Sequence, residues 1–222
     1  MIIGEQKPLA EIKAKVDGYK RILILGCGTC VKTCFAGGED EVATLASALR
    51  LTFKKDGKTI KIEEQTVERQ CEDEFIKEAA PKIAGVEAVV SLACGAGVQM
   101  VSSRFAGVPL LPGVNTTFMG ILEKPGLFTE KCLGCGDCIV DVFGGICPIS
   151  RCAKKLFNGP CGGSSNGKCE VNAEIECAWQ LIVDKAKSTG QLEKLAEYIP
   201  PKDWRTSYAG GPRKLVREDH VI

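Results

Sequence analysis

One histidine, His220, stands among the 222 residues, and it lies in the tail. No Ser-His-Asp relay or H-E-x-x-H helix can be built, and Cys/His zinc sites are excluded outside the tail. No Walker A stretch is present. Aromatics are scarce, with two Trp, three Tyr and eight Phe, too few for a base-stacking surface. The net charge of +1 supplies no field for nucleic acid or an anionic membrane. No apolar run is long enough to span a bilayer. The start, "MIIGEQKPLAEIKAKVDGYK", lacks a basic segment followed by an apolar one, so it is no secretory signal. No repeat of fixed period occurs. These absences set the expectation of a cytoplasmic protein with no nucleic-acid partner and no membrane insertion.

What the chain has in excess is cysteine, thirteen in all, seven of them between Cys132 and Cys169. Cytosolic thiols stay reduced and structural disulfides are rare there. An apolar content of 45% can build a core without disulfide staples. The count is odd, and Cys-x2-Cys-x2-Cys is a metal-ligand spacing. Metal ligation is therefore the expectation.

Along the chain, "RILILGCG" (21–28) reads as a buried strand entering a tight loop. Val42, Leu45, Ala46, Leu49 and Phe53 fall on one helical face behind the acidic Glu39, Asp40 and Glu41. A second strand is expected within 59–71, ending near Cys71. "EDEFIKEAAPKIAG" reads as a helix that Pro81 shortens or kinks. A third strand is expected within 86–97, ending at Cys94, then a helix closed by Gly107 and a fourth strand, "VPLLPGVN". This alternation predicts an α/β fold with an open, mainly parallel sheet of the Rossmann or flavodoxin-like kind. An irregular cysteine-rich metal-binding block follows. Helical spacing returns at Ile175, Trp179, Ile182 and Ala186, and at Leu192, Leu195 and Ile199. The expected divisions are 1–125, 126–178 and 179–222. The tail from Pro200 is rich in Pro, Gly and charge, and reads either as a docking arm anchored by Trp204 and Tyr208 or as a solvated end.

Two thiol groups emerge. Cys27, Cys30 and Cys34 follow strand one, Cys71 strand two and Cys94 strand three. In an open parallel sheet, strand C-termini share one ligand-binding edge. The favoured ligands are Cys30, Cys34, Cys71 and Cys94, with Cys27 nearest the strand interior. "GCGTCV" half-matches a dinucleotide fingerprint, but Val31 stands where the third glycine belongs. Taken singly, Cys71 or Cys94 also reads as a small buried apolar residue. In the second group, Cys132, Cys135 and Cys138 supply three corners of a cubane cluster. Eight residues, not the usual three, precede Cys147-Pro148, so the fourth ligand stays open among Cys147, Cys152, Cys161, Cys169 and Cys177. Eight thiols there allow a third cluster or a zinc at leftover positions.

The motifs "CLGCGDC", "GGICP", "RCAKKLFNGPCGGSSNGKCE" and "PGVNTTFMG" resemble the methylenetetrahydrofolate reductase C-terminal domain family, the MetV-type iron–sulfur subunit of acetogenic bacteria. "GCGTCVKTCFAGGEDEVATLASALR" and "TVERQCEDEF" are similar to it too. The resemblance implies [4Fe–4S] clusters, two in number, and a MetF-type flavin-containing partner subunit. It also implies a role in one-carbon (Wood–Ljungdahl) metabolism, passing electrons from a ferredoxin or a further electron-donating subunit to that flavin. Folate would bind the partner, and no catalytic residue is assigned to this chain. The rival readings are a zinc-stabilised scaffold for the flavin enzyme and a heterodisulfide-reductase-like thiol module.

Overall fold

The computed structural model describes residues 1–220. The chain forms two compact units. The first holds Met1–Phe118 with Leu122–Phe128, and the second holds Met119–Ile121 with the chain from Thr129 onward.

The first unit is built around β2 (Arg21–Cys27), whose Ile22, Leu23, Ile24 and Leu25 are completely buried. A strand covered on both faces reads as an unbroken apolar run, not as an alternation. Ile22 and Ile24 pack with Ile12 and Val16 of α1 (Leu9–Val16) and with Val42, Leu45, Leu49 and Phe53 of α3 (Glu39–Lys55). Leu23 and Leu25 pack on the opposite face with Ile76 of α4 (Asp73–Lys77), Ile83 of α5 (Ala80–Ile83) and Val101 of α6 (Gly95–Arg104). Each such side chain contributes about 1.5–3 kcal/mol by leaving water. The helix α3 starts where its acidic first turn suits the dipole, and the Gly38 amide donates to Glu41 Oε2 at 2.8 Å.

Beside β2 lie β3 (Lys61–Val67), β4 (Ala88–Ser91) and β5 (Leu110–Pro112), all parallel, in the order β3-β2-β4-β5. A second, antiparallel sheet joins β1 (Ile2–Gln6), β6 (Val114–Lys124) and β7 (Leu127–Cys132) in the order β1-β6-β7.

Several boundaries differ from expectation. The first seventeen residues, read above only for a signal, contain β1 and α1. The strands β3 and β4 stop at Val67 and Ser91, so Cys71 and Cys94 sit in the loops beyond. Pro81 opens α5 as a separate helix, where its missing amide costs nothing. The α6 helix ends at Arg104, before Gly107. "VPLLPGVN" divides at Gly113, whose amide donates to the Ser91 carbonyl at 2.8 Å as the chain leaves one sheet for the other.

Beyond its share of β6 and β7, the second unit has little regular structure: α7 (Pro148–Arg151), α8 (Ala178–Ser188) and short 3-10 turns. Its core is Phe143, Cys177, Trp179 and Ile182. Phe143 meets Trp179 edge-to-face at 5.6 Å. Ile175 lies outside α8 and is exposed, while Leu195 and Ile199 pack against the core through the 3-10 turn Leu192–Ala196. Among the described residues no helix is long and apolar enough to cross a membrane.

Candidate functional site

In the order β3-β2-β4-β5 the connections diverge between β2 and β4, and ligands of doubly wound sheets bind beyond the strand ends at such a point. Cys27 is the last residue of β2, and Cys94 follows β4 as the residue capping α6. Cys71 lies in the loop after β3. Burial, first, and then the neighbouring Cys27 and Cys94 thiols push the Cys71 thiol pKa up. These three groups are therefore within electrostatic reach of one another. Cys27 Sγ is 3.9 Å from Thr29 Oγ1 and 3.8 Å from the Glu68 carbonyl.

Gln70 fixes these loops. Its fully buried amide donates to the Leu25 and Gly26 carbonyls at 2.8 and 3.0 Å, and its Oε1 accepts from Ser91 Oγ at 2.7 Å. Ser91 Oγ in turn accepts from the Ala93 amide at 3.3 Å. One side chain thus ties the end of β2 to the end of β4 and carries Cys71 next to it. Sequence reading passed over Gln70. The signal available was a neutral amide between the strand and a cysteine in "ERQC".

Cys30 and Cys34 bracket the short helix α2 (Cys30–Thr33). Cys34 Sγ donates to the Ile2 carbonyl at 3.7 Å. Burial raises its pKa, a hydrogen bond from the Gly4 backbone opposes this, and Cys30 adds to the rise. Cys34 is thus turned toward β1, while Cys27 joins Cys71 and Cys94.

In the second unit Cys132, Cys135 and Cys138 occupy one loop. Gly134 and Gly136 there take φ of +61° and +84°, which glycine adopts without strain. The Gly134 amide donates to Cys132 Sγ at 3.3 Å, and Cys135 Sγ donates to the Asp137 carbonyl at 3.4 Å. Cys147 and Cys152 flank α7, and Ser150 Oγ of that helix donates to the Lys131 carbonyl at 2.7 Å, beside Cys132. Cys152 and Cys177 pack in the apolar core, Cys161 Sγ donates to Glu170 Oε1 at 3.4 Å, and the Cys169 amide donates to the Ile175 carbonyl at 3.1 Å.

All thirteen thiols are free. Among the described residues, no three His, Cys, Asp or Glu side chains surround one point as the ligands of a single metal ion would. A cubane asks for a different arrangement, because each thiolate takes a separate iron corner. The soft donors at the sheet edge, and the loop amide that already faces sulfur, suit such a cluster in chemistry.

Residues 111–205 match the family model described as methylene-tetrahydrofolate reductase C terminal. A search of curated proteins finds no match. A solved structure described as a branched-chain amino acid ABC transporter from Rhodospirillum rubrum aligns at 17% identity over 46% of this chain, with a TM-score of 0.30. The aligned part spans 28% of that chain, and at this TM-score the likeness carries no argument.

Proposed function

We propose that this chain is an iron–sulfur electron-transfer component of a methylenetetrahydrofolate reductase system, working beside a MetF-type flavin subunit in one-carbon (Wood–Ljungdahl) metabolism. A ferredoxin or a further subunit would supply the electrons. The observation that carries the reading is positional. All eight thiols from Cys132 to Cys177 lie inside the 111–205 segment that is similar to the family.

At the sheet edge, Cys27, Cys71 and Cys94 with one thiol of the Cys30–Cys34 pair would hold one [4Fe–4S] cluster. In the second unit, Cys132, Cys135 and Cys138 would hold another, with Cys147 or Cys152 as its fourth ligand. Bound clusters would supply one-electron carriers. The chain's own residues orient the thiolates, through Gln70 in one unit and Ser150 in the other, and keep water from the Cys27 side. The thiols must give up their protons on binding, and burial that favours the neutral forms of Cys71 and Cys34 opposes this.

Anaerobic purification followed by iron and sulfide analysis tests the proposal. It expects about eight of each per chain, the content of two cubanes, and a brown protein. A colourless protein with zinc as its only metal would overturn it in favour of the scaffold reading.

A further inference from the structure

Three consecutive features of the Cys132–Cys138 loop point at the same stretch of tail. The Gly134 carbonyl accepts from Arg213 Nη1 at 2.8 Å. The Cys135 carbonyl accepts from Thr206 Oγ1 at 2.9 Å. The Asp137 carbonyl and carboxylate both accept from Lys202 Nζ at 2.8 Å. Arg213 Nη1 also donates to the Thr206 carbonyl at 2.7 Å, locking one donor to the next. A Cβ on Gly136 would overlap that same Thr206 carbonyl, so the loop and tail backbones approach as closely as glycine allows. The Lys202 side chain is only 3% exposed, which a cation tolerates when it is hydrogen-bonded and paired.

We propose that Lys202–Arg213 is an intramolecular strap that presets the Cys132–Cys138 loop for its metal centre. In a trans peptide the carbonyl and the following amide point in opposite directions. Drawing the carbonyls of Gly134, Cys135 and Asp137 to the tail turns the amides of Cys135, Gly136 and Cys138 to the other side. Successive amides on one side of a loop with positive-φ glycines form a concavity for negative charge. The strap therefore builds the anion-binding face before any metal arrives. The Cys135 thiol now donates to the Asp137 carbonyl. Lys202 Nζ donates to the same carbonyl, so the strap and the loop thiol meet at one acceptor. Lys202 and Arg213 also place two cations against the loop. Positive charge there favours the more negative, reduced form of a bound centre and raises its potential.

The strap stands on the hydrogen bonds alone, whereas its effect on potential rests on the iron–sulfur reading. The first experiment compares the backbone amide NMR signals of the metal-free full chain with those of Lys202→Met/Thr206→Val/Arg213→Met. The 134–138 signals should shift and broaden in the variant, with α8 signals unchanged. Unchanged signals at 134–138 would overturn the strap. If α8 signals also move, Thr206→Val alone, which removes a single hydroxyl, gives the same test. The second experiment uses reconstituted protein. Lys202→Met should lower the potential of one centre, and Lys202→Arg should restore it. A potential unmoved by Lys202→Met removes the tuning role. Shifted 134–138 signals in a chain that never takes up iron would keep the strap and defeat the iron–sulfur reading.

Discussion

Gln70 shows how much a single neutral side chain can hold in place. Replacing it with leucine leaves the Leu25 and Gly26 carbonyls and the Ser91 hydroxyl short of a buried partner. Gln70→Leu should therefore cost about 1–3 kcal/mol, read as a lower urea midpoint. Gly159 poses a steric problem instead of a polar one. A Cβ there would run into the Trp179 indole, whose Nε1 donates to the Leu156 carbonyl at 3.1 Å. Gly159→Ala should destabilise the second unit by about 1–3 kcal/mol, typical of overpacking, read as a lower melting temperature by tryptophan fluorescence. An unaltered melt would mean that the ring moves aside freely.

At the scale of elements, the sheet edge and the cysteine loop are expected to load metal separately. Cys94→Ser should remove roughly half of the iron and leave the second site filled, since two cubanes divide the metal evenly. Full iron content in that variant would return Cys94 to the role of a buried apolar thiol. The long periodic helix was readable in advance, and Val42, Leu45, Ala46, Leu49 and Phe53 are its buried residues. So was β2, whose apolar run has one physical meaning in a doubly covered sheet. The N-terminal β1 and α1 were missed although Leu9, Ile12 and Val16 after Pro8 carry helical spacing. The β6–β7 hairpin was missed too, although Pro125-Gly126 between strand-forming residues is a turn signal. That Cys27, Cys71 and Cys94 follow strand ends along one edge was legible; how closely Cys71 approaches Cys27 and Cys94 was not. It depends on which way loops turn after the strands end, and Gln70 sets that through contacts about 45 residues away in sequence. The tail was read as an arm for a partner or as solvated. Its Lys202, Thr206 and Arg213 are engaged with the chain's own loop, while Tyr208 stays exposed.

For the molecule as a whole, acid is a useful probe. Arg21 beside Glu63, first by its hydrogen bond, holds that carboxyl below its usual range. The Lys20 and Arg21 amides do the same for Glu87, and Lys77 followed by Arg104 for Asp73. Groups depressed in the folded chain add stability that is present above the ordinary carboxylate pKa and is lost as pH falls through the lowered values. The first unit, which holds all three, should keep its melting temperature from pH 7 to about 5 and lose it progressively below about 4. A melting temperature that stays flat down to pH 3 would contradict this. The division of the chain has another consequence. The segment similar to the reductase family begins at Leu111, inside β5, and ends at Thr-Ser's neighbour Arg205, ahead of Arg213. Cutting the chain at those limits would strip Leu111 and Pro112 from Val90 and Ser91, leaving β4 with a bare, sticky margin. It would also carry Leu122–Phe128 away from the unit they complete and sever the last donor to the Gly134 carbonyl. In the excised 111–205 piece, β6 in turn has lost β1 from its side, so that piece too is expected to clump, visible as light scattering, where the intact chain stays clear. The stretch that matches the family model is expected to be shorter than the stretch that folds alone.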